Sequence, residues 1–167
     1  MTCAKFLGVF LDEKFKKRVQ HVNHIANKIA KGLGMLGRCR KFLSKDVLLL
    51  LYFSLIYPYL IYCSIVWGGA CSSALHKIEV LQNRAIRIIT HSPFRLSSSP
   101  LYKELHLLKF CDIYKMQVIL FMYKCKNSFL PDSCMHYCLR NFNSFYNMRI
   151  NHDFASVSFL PIFVSSV

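Results

Sequence analysis

A chain of 167 residues, 54% hydrophobic and 18% charged, carries enough apolar material for one domain with a core, which excludes intrinsic disorder over most of its length. Six glycines and five prolines favour long helices over a turn-rich sandwich. Lysine and arginine outnumber aspartate and glutamate by 22 to 8, and a formal charge of +14 points to a polyanionic partner, either nucleic acid or an anionic membrane surface. The charge is uneven. Residues 1–45 hold eleven basic and two acidic side chains, residues 46–76 hold only Asp46, and residues 77–126 hold nine basic and three acidic ones.

In chain order, Phe6–Leu11 reads as a short buried strand bounded by Asp12-Glu13-Lys14. From about Gln20 the period becomes helical. Val22, Ile25, Ile29, Leu33 and Leu36 recur at three and four, with Lys28, Lys31, Arg38 and Lys41 on the other face. Gly32, Gly34 and Gly37 weaken that helix late and predict fraying or a bend. Ser44 predicts an N-cap and Asp46 suits the first turn of the next helix, which Pro58 breaks or kinks. A second short apolar helix is expected to Trp67, closed by Gly68-Gly69. Ser72 or Ser73 then caps the most regular helix, with Ala74, Ile78, Leu81, Ala85 and Ile88 as its seam and Lys77, Arg84 and Arg87 opposite. Residues 92–99 are a loop, and Pro100 opens a short helix through about Leu107. Asp112 predicts the cap of a last helix with Ile113, Met116, Ile119, Leu120 and Tyr123 inward and Lys115, Lys124 and Lys126 outward. The periodic pattern decays past Leu130-Pro131-Asp132, and no regular element is visible in 132–167.

Chemistry-bearing groups are sparse. The carboxylates are Asp12, Glu13, Asp46, Glu79, Glu104, Asp112, Asp132 and Asp153, and only Asp12 and Glu13 are adjacent. A two-metal centre, which needs paired carboxylates, is therefore not expected. Eight cysteines (3, 39, 63, 71, 111, 125, 134 and 138) mostly sit in apolar helical patterns and include no C-x-x-C, so they read as reduced thiols. His21 and His24, three apart, read as surface or capping residues before zinc ligands. No metal, cofactor or catalytic nucleophile is expected. The N-terminal apolar stretch is too short for a secretory signal, which predicts a nuclear or cytoplasmic protein.

Val47–Leu75 is uncharged across 29 positions. A bilayer span needs about 20 apolar residues, so a small helical membrane protein is the rival reading. Against it stand Pro58 and the flanking Tyr57 and Tyr59 at mid-segment, since interfacial tyrosines belong at the ends of a span.

Several phrases then line up in order. Phe6-Leu7-Gly8-Val9 with Leu11-Asp12-Glu13, His24-Ile25 with Lys28-Ile29 and Leu36-Gly37-Arg38, and Leu51-Tyr52 with Ser54-Leu55-Ile56 are the first three. Pro58-Tyr59-Leu60, Tyr62-Cys63 and Val66-Trp67-Gly68 follow, then Leu81-Gln82-Asn83-Arg84-Ala85-Ile86-Arg87-Ile88-Ile89, the most specific of the set. Together they resemble the downstream, thumb and connection side of jockey-like non-LTR retrotransposon reverse transcriptases, over roughly residues 5–130. The basic run Lys16-Lys17-Arg18 departs from the pattern, which has a tryptophan there. The resemblance implies that the palm with its paired aspartates, and an endonuclease, belong to an upstream part of such a polymerase. It also implies a helical thumb-like bundle that grips an RNA or DNA template–primer duplex. The expected organisation is mainly α: a palm-side strand region at 1–19, a helical domain at 20–130 and an irregular tail at 131–167. Lys77, Arg84 and Arg87, with Lys28, Lys31 and Arg38 second, are the expected nucleic-acid contacts; the bland reading is that they solvate their helices.

Overall fold

The structure, a computed structural model, describes residues 3–12, 18–127 and 129–130; the expected tail lies outside them. It is mainly helical. Among the described residues two strands, β1 (Cys3–Phe6) and β2 (Val9–Asp12), precede seven helices: α1 (Arg18–Cys39), α2 (Lys45–Leu55), α3 (Tyr57–Ile61), α4 (Ser64–Trp67), α5 (Ser72–Ile89), α6 (Ser99–Glu104) and α7 (Phe110–Lys126). The fold divides into two units, Met1–Val118 and Ile119–Val167.

The single strand expected at Phe6–Leu11 is instead an antiparallel hairpin in the register Cys3↔Asp12 to Phe6↔Val9. Its two-residue turn, Leu7-Gly8, has φ of 45° and 81°. Positive φ at both positions is what a type I′ turn requires, and glycine supplies the second without strain. The apolar run hid the turn because only one of its residues is a turn former.

α1 buries Val22, Ile25, Ile29, Leu33 and Leu36, as its period predicts. It runs through all three glycines to Cys39 without fraying. Gly32 has a packing reason: a Cβ there would lie 3.2 Å from the Leu55 carbonyl oxygen and 3.3 Å from Ile56 Cγ1. α1 and α5 form the main packed pair. Lys77 meets Asn23, Gly37 lies under Ile88, and Arg40 meets His91, so residue numbers rise together and the two helices run parallel.

The uncharged stretch is broken twice. Ile56 ends α2, Pro58 sits in the first turn of α3, and Cys63, at φ 50°, separates α3 from α4. No helix among the described residues is long and apolar enough to cross a membrane. Ser44 takes the extended N-cap conformation of α2, though its hydroxyl caps nothing, and Asp46 lies in the first turn. Cys71 rather than a serine occupies the N-cap position of α5, with no side-chain cap bond. Pro100 lies in the first turn of α6, which is two turns at most and ends at Glu104. α7 starts two residues before Asp112; Ile113 is buried, but Ile119, Leu120 and Tyr123, expected inward, are exposed.

Candidate nucleic-acid interface

α5 has two faces with different duties. Inward, the buried set is Ala74, Ile78, Gln82, Ala85, Ile86 and Ile89, a seam rotated toward Gln82 relative to the one read from the sequence. The Gln82 amide is fully used. Its Nε2 donates to the Tyr52 hydroxyl and to the Leu108 carbonyl, both at 3.0 Å, and its Oε1 accepts the Phe110 N–H at 2.8 Å. One side chain thus ties α2, α5 and the start of α7 together. Burial pushes the Tyr52 phenol up to about 12, so it stays protonated. Asn83 Oδ1 accepts the Tyr102 hydroxyl at 3.0 Å, which fixes α6 against α5.

Outward lie the basic residues. Lys77 is exposed and its Nζ donates to Asn23 Oδ1 at 3.0 Å, bridging the two helices. Arg84 is exposed. Arg87, one turn on, is half-buried: its Nε donates to the Leu96 carbonyl at 2.9 Å and its guanidinium lies 5.8 Å from the centre of the Phe94 ring. On α1, Lys31 and Arg38 are exposed. The seams of α1 and α5 enter the same core, and each helix exposes two cations away from it: Lys31 and Arg38 on α1, Lys77 and Arg84 on α5. Within each helix the two cations are seven residues apart, about 10 Å along the axis. α1 contains no acidic residue and α5 only Glu79, which faces His76.

Lys28 belongs elsewhere. With Lys5, Gly8, His21, His24, Ile25, Tyr59 and Tyr62 it lines an open cleft of about 210 Å³ between the hairpin and α1. The hairpin is held there by two bonds: the Tyr62 hydroxyl donates to the Leu7 carbonyl at 2.6 Å, and the Phe10 N–H donates to His21 Nδ1 at 3.4 Å. His21 is buried, and desolvation, reinforced by His24, lowers its pKa from 6.5. With Nδ1 accepting, the proton sits on Nε2, which has no partner among the described residues. Among the described residues no three His, Cys, Asp or Glu side chains cluster as metal ligands. The sequence reading missed Gln82, the hairpin latch and the Phe94 turn. Gln82 was hidden inside an apolar seam, and the other two rest on backbone carbonyls and amides that no residue pattern displays.

Comparison with known proteins bears on this arrangement. The chain is 32% identical over 112 residues to a probable RNA-directed DNA polymerase from transposon X-element of Drosophila melanogaster, covering 65% of this chain and 12% of that polypeptide. It is 30% identical over 110 residues to the corresponding probable polymerase from transposon BS, covering 62% and 12%. Against the polymerase of the mobile element jockey it is 28% identical over 131 residues, covering 77% and 14%. The chain is similar to one region of non-LTR retrotransposon reverse transcriptases. It spans about an eighth of the length of these relatives. No family model and no solved structure matches it. In the most specific phrase, Leu81–Ile89, the structure separates inner from outer positions: Gln82, Ala85, Ile86 and Ile89 are buried, and Arg84 is exposed.

Proposed function

We propose that the chain is a thumb-side piece of a mobile-element RNA-directed DNA polymerase, and that its own task is sequence-independent grip on a template–primer duplex. The observation that carries this is the set of exposed cations on the packed α1–α5 pair, Lys31, Arg38, Lys77 and Arg84, on two helices whose one carboxylate is Glu79. Such a set suits phosphate oxygens, which position a protein on a duplex without reading its sequence. The similarity to retrotransposon polymerases supports a nucleic-acid template as the partner, here read as an RNA or DNA template with its primer.

The chain itself performs no polymerisation in this reading. Of its described carboxylates, Glu79 faces His76, Glu104 pairs with Lys45 and Asp112 with Lys115, on separate helices. The metal-holding pair and the rest of the polymerase are supplied by another part of the polypeptide. The setting is the nucleus or cytoplasm.

The test is the salt dependence of duplex binding. Replacing Lys31, Arg38, Lys77 and Arg84 with alanine should weaken binding to all sequences alike. It should also flatten the slope of log K against log salt by about 0.9 for each phosphate that is no longer neutralised. Replacing Lys115, Lys124 and Lys126 is the control. If the quadruple variant binds as the parent does, the face is only a solvated surface. If both variants lose affinity in proportion to charge removed, the attraction is net charge and there is no gripping face.

A further inference from the structure

The loop after α5 is built more firmly than its composition requires. It has no glycine, yet the Leu96 N–H donates to the Pro93 carbonyl at 3.1 Å, closing a four-residue turn with Phe94 and Arg95 at its two central positions. The turn is pinned to the last turn of α5 from both sides: the Ser92 N–H donates to the Arg87 carbonyl at 3.0 Å, and Arg87 Nε donates to the Leu96 carbonyl. A hydrogen bond between Thr90 Oγ1 and Ser92 Oγ, 2.8 Å long, braces the approach. The consequence is a Phe94 ring that is 75% exposed while the Arg87 guanidinium approaches it at 5.8 Å.

A lone exposed apolar side chain needs no explanation. This one differs in its surroundings. Residues 80–103 contain no aspartate or glutamate but include Arg84, Arg87, Arg95 and Lys103. An exposed aromatic ring with a guanidinium beside it, in a segment free of carboxylates, suits a ligand that is at once aromatic and anionic. A nucleotide with its base unpaired meets both conditions, because every base has a π-face and carries a phosphate beside it. A paired base inside a duplex does not, since its faces are already covered by its neighbours.

We propose that Phe94 is a stacking platform for an unpaired nucleobase, set by Arg87 at the end of the α1–α5 face. The ligand of that face is then a duplex with a single-stranded extension, such as a template running past its primer. This rests on the duplex-gripping reading and deepens it. Arg87 acts as a positioning residue for the turn.

The experiment uses the full chain and five DNA probes: a blunt duplex, the same duplex with a thymidine extension, the same duplex with an abasic extension, an isolated thymidine strand and an isolated abasic strand. The base-bearing extension should bind about tenfold more tightly than the abasic one, as one stacked base allows. Phe94→Ala should remove that difference and leave blunt-duplex binding unchanged. Phe94→Trp should keep it, and its indole fluorescence should be quenched by thymidine extensions and not by abasic ones. Trp67, the single native tryptophan, is buried and gives a constant background. Equal binding of base-bearing and abasic extensions by the parent chain overturns the platform, as does a thymidine advantage that survives Phe94→Ala. The isolated strands separate the two readings. If the blunt duplex is not bound but thymidine still outbinds its abasic counterpart through Phe94, the gripping face has failed and the platform stands.

Discussion

The α1–α5 pair and the stretch from α2 to α4 reach one core by different means. Each helix of the pair buries one side and exposes the other, so its position follows from a continuous apolar seam. The stretch between them has no charge from Val47 to Leu75, and leaves Val47, Leu50, Phe53 and Tyr62 exposed while burying Leu48, Tyr52, Ile56, Leu60 and Trp67. Hydrophobicity alone cannot choose its inner side, because nearly every side chain qualifies. A few directional contacts choose it instead. Trp67 stacks on Phe110 with centroids 5.1 Å apart and rings 7° from parallel, and its Nε1 donates to the Tyr62 carbonyl at 2.9 Å. Tyr52 is fixed by Gln82. Where the amphipathic period is absent, specificity rests on polar pins.

The largest effect that should expose this difference is at Trp67. Trp67→Ala removes the stack, the indole donor and a fully buried side chain, and should cost about 3–5 kcal/mol in urea unfolding. Trimming the α1 seam by Ile29→Val should cost only about 1 kcal/mol, because the seam is redundant along its length. Similar losses at the two sites would mean that the pins are no more important than ordinary packing.

Next comes the amide that joins the two regions. Gln82→Leu keeps the volume but strands the buried Phe110 N–H and the Tyr52 hydroxyl, at a cost of about 2–3 kcal/mol. Tyr52→Phe, which deletes one of the three bonds and leaves Gln82 two partners, should cost about 1 kcal/mol. A Gln82→Leu protein as stable as the parent would show that the network orients the helices without holding them.

How far the sequence displayed this fold follows from the same contrast. The five apolar positions of α1 were legible because a 3.6-residue period is a one-dimensional signal. So was the break at Pro58, where the ring forbids helix continuation. The hairpin was not, since Leu7 adopts its turn conformation through a bond from Tyr62, 55 residues away in sequence. Of the basic residues, the outward direction of Lys31, Arg38, Lys77 and Arg84 was legible from periodicity. That Arg87 would turn back onto Leu96 and that Lys28 would face the hairpin depended on loops whose paths leave no periodic trace.

The glycines of α1 allow a smaller test within one helix. Gly34 has open space where a Cβ would go, so Gly34→Ala should stabilise the protein by about 1 kcal/mol through helix propensity alone. Gly32→Ala gains the same propensity but presses on the Leu55 carbonyl and Ile56, at the C-terminal end of α2. Its net effect should be a loss. Equal melting gains from both would show that α2 is free to move aside, and that the close approach does not set its path.

The smallest effect concerns His21, the polar member of the α1 seam and the place where the pair, the hairpin and Trp67 meet. Its ring lies 5.9 Å from the Trp67 ring, edge to face, and its Nδ1 holds the Phe10 amide. Burial lowers its pKa, and the neighbouring His24 lowers it further when charged. The unfolded chain therefore binds the proton more readily than the folded one, and stability rises with pH wherever that difference persists. Read in the other direction, stability is complete above the ordinary value of 6.5 and falls as pH drops below it toward the lowered folded value. The loss should flatten once both states are protonated, or continue if the hairpin undocks, because a protonated imidazole cannot accept the Phe10 N–H. His21→Gln removes the titration while leaving a side chain that can accept that bond. Its stability should be nearly level across the same pH range, with His24→Gln retaining most of the parent's slope. Denaturant midpoints measured from neutral to mildly acid pH decide the matter: a slope unchanged by His21→Gln would assign the acid sensitivity to another group and leave His21 a packing residue only.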